Sequence, residues 1–183
     1  KPGSVSNTIM SHQDWLPTLM SAAGVPGITE QLLKGYTAGG KKFTVHLDGY
    51  DFVPYLEGKT DQGPRNQFFY FSDDGKLLGM RDGDWKIVYA EQRSKRFDVW
   101  RDPFVDLRAP KVFNLRRDPY ERADTDSNSY NVWWDHKVGV IAMPAVGKTQ
   151  QFLMSFQQFP PRQRPASFTI DQITEKLLNF KNK

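Results

Sequence analysis

The feature that most constrains this chain is a series of short aromatic and β-branched runs between residues 67 and 115, cut at intervals by turn residues. Asp82-Gly83 stands between two of these runs, and Asp-Gly tolerates the positive φ angles that a two-residue hairpin demands. Asp73-Asp74-Gly75 marks an earlier turn. Strands are therefore predicted over residues 68–71, 77–81, 85–90 and 112–115, and runs of this length joined by tight turns specify an antiparallel meander. In the third run Trp85, Ile87 and Tyr89 alternate with Lys86 and Val88, which suits a sheet covered on one face.

The cover must be helical. Residues 132–143 and, beyond Pro144, residues 146–159 carry helical patterns. A last helix is predicted from Thr169 onward, where Thr169 and Gln172 form a capping-box pair and Phe168 and Ile173 occupy the staple positions. Residues 160–165, with three prolines, read as an extended connector. Ahead of the meander, Asp14 can N-cap a helix over 15–23 that Gly24 ends, with Leu16, Leu19, Met20 and Ala23 as its buried stripe. A second short helix over 29–34 follows Pro26-Gly27, and residues 35–42 read as an exposed loop. The expected class is α+β: a small four-stranded antiparallel sheet packed against helices, with an N-terminal helical segment.

A length of 183 residues suits one structural unit. With 38% hydrophobic residues and 13 Phe, 7 Tyr and 5 Trp, the disordered class is excluded. The net charge of +4 arises from 25 basic and 21 acidic residues that are interleaved, so neither a nucleic-acid nor another polyanionic partner is indicated. There is no Cys, which removes disulfides, thiolate metal sites and cysteine nucleophiles from this stretch. The longest apolar run, residues 138–147, is half of the roughly 20 residues that a membrane span needs, and no membrane partner is expected. Because the sequence opens Lys1-Pro2-Gly3-Ser4 rather than with Met, it reads as a piece of a longer protein.

Several motifs invite chemistry. Residues 142–149, Ala-Met-Pro-Ala-Val-Gly-Lys-Thr, satisfy a relaxed phosphate-loop pattern, but they join two helical stretches rather than following a buried strand, which argues against nucleotide binding. His12 near Asp14, His136 beside Asp135, and His46 before Leu47-Asp48-Gly49 lack the spacing of a metal motif; capping and surface roles account for them. Trp133-Trp134 could stack sugars, yet neighbours on a helix point about 100° apart, so burial of at least one is the expectation. In Asp118-Pro119-Tyr120-Glu121, Asp118 can N-cap, with Pro119 and Glu121 at the first and third helical positions, making the tetrapeptide a capping device and not a catalytic dyad.

Taken in order, Ser11-His12-Gln13-Asp14-Trp15-Leu16-Pro17-Thr18-Leu19 followed by Ala23-Gly24-Val25-Pro26 resembles a segment of the sulfatases. Leu47-Asp48-Gly49-Tyr50-Asp51-Phe52-Val53-Pro54-Tyr55-Leu56-Glu57-Gly58 resembles their next landmark, Met80-Arg81-Asp82-Gly83-Asp84-Trp85-Lys86 a third, and Phe113-Asn114-Leu115-Arg116-Arg117-Asp118-Pro119-Tyr120-Glu121 a fourth. Asp124-Thr125 stands where the family often has Asn-Leu. The four together resemble the carboxy-terminal part of an arylsulfatase-like enzyme of the alkaline phosphatase superfamily. The resemblance implies that residues 1–62 close the large sulfatase domain and that residues 63–183 form the C-terminal subdomain.

It also implies what lies elsewhere. Sulfatases use a formylglycine made within a Cys/Ser-x-Pro-x-Arg motif, together with Ca²⁺, Lys and His, and all of these would sit upstream. No catalytic or metal-binding residue is assigned in this chain, which should be inert alone, with the missing N-terminal catalytic part as its partner and a sulfated small molecule or glycan as the parent's substrate. A periplasmic or extracellular location is implied in the same way. The stretch 91–110 carries Arg93, Lys95, Arg96, Arg101 and Arg108, cations suited to anionic esters; Arg93, Lys95 and Arg96 are the candidate substrate-pocket rim, with a solvated basic loop as the simpler account. A related phosphodiesterase or phosphonate hydrolase, and an anion- or glycan-binding module using this loop and residues 162–164, are the alternatives. Without its partner the first helix should show an exposed apolar face.

Overall fold

A computed structural model describes residues 3–160. After a 3-10 turn at His12–Asp14 come α1 (Trp15–Ala22), α2 (Ile28–Lys34), the strands β1 (Tyr36–Ala38) and β2 (Lys41–Phe43), and α3 (Val53–Leu56). The meander follows as β3 (Gln67–Phe71), β4 (Leu77–Asp82), β5 (Trp85–Glu91) and β6 (Val105–Asn114), and then α4 (Ala123–Asp126) and α5 (Tyr130–Gln158). The class is α+β: β3-β4-β5-β6 form one antiparallel sheet in sequence order, with helices packed against it. The predicted hairpin forms with its turn one residue later: Asp82 ends β4 and pairs with Trp85, so Gly83 and Asp84 are the two turn residues, and Gly83 supplies φ +58.

One row across the sheet explains where the core lies. Phe69 faces Met80, Met80 faces Ile87, and Ile87 faces Val112. Met80, Ile87 and Val112 are fully buried. Helix α5 covers this row with Ala142, Ala145 and Thr149, which recur at the spacing of one helix face. Small residues there let the helix axis approach the strands, while Phe152 lies flat on Phe69 at 4.0 Å between ring centroids. The Thr149 hydroxyl donates to the Ala145 carbonyl at 2.9 Å and stands 2.9 Å from the Tyr89 hydroxyl, so the polar atom under the helix is satisfied.

Several expectations need correction. The two helices predicted on either side of Pro144 are one continuous α5, with Pro144 inside it. Proline removes one intrahelical donor and crowds the carbonyl four residues back. That carbonyl belongs to Val140, which is 74% exposed, and the neighbours Ala142 and Ala145 are anchored on the sheet. Residues 35–42 are not a loop throughout: β1 and β2 pair there, and the turn between them uses Gly39 and Gly40, both at positive φ. Strand β6 starts at Val105, not Val112, beyond a register shift between Val88 and Ala90. As the last strand in the sheet order, it tolerates Pro110.

Asp14 does not cap α1 through its side chain, and the predicted stripe does not bury. Leu16 and Leu19 are 50% and 60% exposed, whereas Pro17 and Thr18 of the same helix are buried. The apolar face expected to be open on this helix is open. Asp118 accepts from the backbone N–H groups of Arg122 and Ala123 at 3.0 and 2.8 Å, one turn later than predicted, so the helix starts at Ala123. Glu121 is not a capping partner: it takes φ +54 and grips the Lys86 ammonium with both oxygens at 2.7 Å. The predicted helix from Thr169 and most of the 160–165 connector lie outside the described residues.

Candidate functional site

The residues that make up the first two landmarks meet in space. Ser11 caps the 3-10 turn, and Asp14 closes a capping box by accepting from the Ser11 N–H at 2.8 Å. This turn places the Asp14 carboxylate inward, where it is 0% exposed. The Tyr50 N–H donates to Oδ1 at 2.8 Å. Arg65 then donates from Nε to Oδ2 at 2.8 Å and from Nη2 to Oδ1 at 2.6 Å, the bidentate geometry that makes Arg–carboxylate pairs strong. The same guanidinium reaches the carbonyls of Gln67 at 3.1 Å and Asp48 at 2.8 Å, and it lies 4.8 Å from the centre of the Tyr50 ring.

Thr18 completes the clasp. Its hydroxyl donates to the Tyr50 carbonyl at 3.3 Å and accepts from the Phe52 N–H at 3.0 Å. Phe52 is thereby seated as a buried anchor. Gly49 lies so close to the 3-10 turn that a Cβ on it would fall 2.0 Å from the Gln13 carbonyl oxygen. The Asp, Pro and Thr of one landmark and the Gly-Tyr-x-Phe of the next are therefore a backbone clasp. Burial acts to raise the Asp14 pKa, but Arg65 and the N–H groups of Ser11 and Tyr50 outweigh it and hold the carboxyl below its usual value. A carboxylate so fully occupied is not poised to move protons or hold a metal.

Beside the clasp runs an open groove of about 730 Å³. One wall is the 46–51 segment with the start of α2; the other is Phe69, Phe71, Lys148 and Phe152. His46 stacks on Phe159 at 4.8 Å and its Nδ1 stands 3.4 Å from Asp48. Lys148 is paired with Asp82 at 2.6 Å, and the Asp51 carboxylate accepts from the Val53 N–H at 2.9 Å. These polar side chains are engaged within the wall. Among the described residues, no group of three or more His, Cys, Asp or Glu could hold a metal ion.

No protein-family profile matches the chain, and no curated protein matches it. Among solved structures it is similar to the PsFucS1 sulfatase from Pseudoalteromonas sp., with a TM-score of 0.49 and 20% sequence identity over 65% of this chain and 23% of that one. The chain thus spans less than a quarter of that sulfatase.

The basic stretch is shorter than the sequence suggests. Residues 92–104 link β5 to β6 and hold a 3-10 turn, Arg96–Trp100, while Arg108 lies on β6. Gln92 ties the two ends by donating to the Asp102 carbonyl at 2.8 Å. Arg93 is paired with Glu91 at 2.9 Å and Arg101 with Asp98. Lys95 and Arg96 are exposed and hold no ion pair among the described residues. Arg93, Lys95 and Arg96 stand together on this exposed link and line none of the described cavities.

Residues 142–149 lie wholly within α5, with Thr149 buried and Lys148 paired, which rules out a phosphate cradle built on loop backbone. His12, Asp135 and His136 are exposed. Both tryptophans of the pair are half-buried: Trp133 stacks on Trp85 at 6.1 Å, and the Trp134 indole N–H donates to the Pro110 carbonyl at 2.8 Å. The residue that sequence reasoning missed is Arg65. Its only local signal is Gly63-Pro64 ahead of a strand, and nothing there points to a carboxylate 51 residues away.

Proposed function

We propose that this chain is the carboxy-terminal part of a sulfate ester hydrolase of the arylsulfatase type, supplying scaffold and pocket edge and inert by itself. The observation that supports the reading is the clasp. Asp14, Thr18, Gly49 and Phe52 are the landmark residues of the resemblance, and each has a demonstrable structural reason to be the residue it is. Landmarks that serve to lock backbone segments are what a scaffold portion requires, with the nucleophile and charge-stabilising groups supplied from another part of the protein.

In this reading residues 1–62 close the larger domain, residues 63–183 form the subdomain, and the open face of α1 is where the two parts of the protein pack. Formylglycine and Ca²⁺ belong to the upstream part, in which an aldehyde hydrate attacks sulfur while the cation stabilises oxyanion charge. Arg93, Lys95 and Arg96 would edge the pocket for a sulfated small molecule or glycan. Two measurements test this. The coding sequence upstream of Lys1 should contain Cys/Ser-x-Pro-x-Arg, and the longer polypeptide should release sulfate from an aryl sulfate while the 183 residues do not. Absence of that motif, or sulfate release by this chain unaided, would overturn the proposal; phosphoester hydrolysis by the longer polypeptide would favour the related phosphodiesterase instead.

A further inference from the structure

A second hollow lies at the hairpin end of the sheet, where Asp82 and Trp85 meet the first half of α5. It measures about 520 Å³, within the range of about 300–1,000 Å³ typical of small-molecule sites. Its walls are apolar: Trp85 and Ile87 from β5, and Trp133, Val140, Ile141 and Pro144 from α5. A smaller hollow of about 230 Å³ adjoins it and shares Trp85, Asn114, Arg117 and Trp133. Arg117 therefore stands at the junction of the two.

The charges at this junction are unbalanced. Asp82, the carboxylate on the larger hollow, is already paired with Lys148 at 2.6 Å. Asp118, on the smaller one, is occupied by two backbone N–H groups. Arg117 and Lys137 line the larger hollow, are exposed, and hold no ion pair among the described residues. The landmark that supplies Arg117 explains its position without using its side chain, because only its backbone N–H joins the turn, bonded to Asn114. Two free cations beside indole and aliphatic surface complement a ligand that is flat and apolar at one end and anionic at the other.

We propose that this cleft is a binding site for a planar aromatic anion, an arene carrying one sulfonate, sulfate or carboxylate group. The ring lies along Trp85, Trp133 and Pro144, and the anionic group is held at Arg117 and Lys137. The inference stands on this cleft alone and does not depend on the reading of the parent enzyme. Its test is a titration of the full chain with naphthalene sulfonate, followed by calorimetry and by the indole N–H resonances of the five tryptophans.

Saturable binding is expected, with the Trp85 and Trp133 resonances moving and those of Trp15 and Trp100 staying in place. The Arg117→Glu/Lys137→Glu variant changes only exposed side chains without partners and should keep its circular dichroism. It should weaken binding by at least about tenfold, the loss of a charge-assisted hydrogen bond. Uncharged naphthalene methanol should bind more weakly by a similar factor. A charge-reversed variant that binds the sulfonate as tightly as the parent, or a response centred on Trp15 or Trp100, would overturn the proposal. So would a Trp133→Leu variant, folded by the same criterion, that binds unchanged.

Discussion

Replacing Arg65 with Met tests the clasp where its charge is most deeply buried. The variant loses the two hydrogen bonds to Asp14, at 2.8 and 2.6 Å, and those to the carbonyls of Gln67 and Asp48. Asp14 is left at 0% exposure, held only by the N–H groups of Ser11 and Tyr50. Removing one partner of a buried ion pair costs about 3–5 kcal/mol, because the remaining charge is stranded in a poor solvent. Against a total stability of about 5–15 kcal/mol, that loss is large.

The loss should also depend on pH, in a direction set by the Asp14 carboxyl. In the parent its pKa is lowered on folding. Its contribution to stability is therefore fully present above the unfolded value of about 3.9 and disappears as pH falls through the lower folded value. In the variant, burial acts without the opposing guanidinium, so Asp14 protonates at higher pH than in the parent and relieves its own penalty. The difference between the two proteins should thus be greatest near neutrality and shrink below about pH 4. Urea unfolding followed by tryptophan fluorescence near neutral pH and near pH ~3.5 measures both. A penalty under about 1 kcal/mol at neutrality, or one that is the same at both pH values, would refute the stranded-charge argument.

Two further substitutions probe close approach and helix continuity. Gly49→Ala puts a methyl 2.0 Å from the Gln13 carbonyl oxygen, so the clasp must open; a loss of about 1–3 kcal/mol is expected, seen as a lower thermal midpoint. Gly147→Ala should act the other way, since a Cβ there meets nothing within 4 Å inside α5; a gain of about 1 kcal/mol is expected from helix propensity. A drop in thermal midpoint would refute the reading of Gly147 as an interior helix residue with open space around it.

The sheet was legible because its information is local. Gly83, just after Asp82, marks a tight turn, the turn sets the register of β4 on β5, and alternation then assigns Met80 and Ile87 to one face. The continuity of α5 was less accessible: Pro144 is a breaker by its own chemistry, and it is overruled by Ala142 and Ala145 being held on the sheet. The stretch 118–121 shows the same limit. Its Asp, Pro and Glu spell a helix start, yet Glu121 is taken by Lys86, 35 residues earlier in the chain.

What the sequence alone determined, then, is the antiparallel meander, its helical cover and the order of the landmarks, all of which follow from short-range turn chemistry and periodicity. What the tertiary structure decided is the purpose of the polar residues. Asp14 looks like a helix cap until Arg65 arrives from 51 residues away, and Arg117 looks like an ordinary surface cation until Trp85 and Trp133 enclose the space beside it. A charge takes its role from the partner that desolvation obliges it to find, and that partner is chosen by packing, not by its neighbours along the chain.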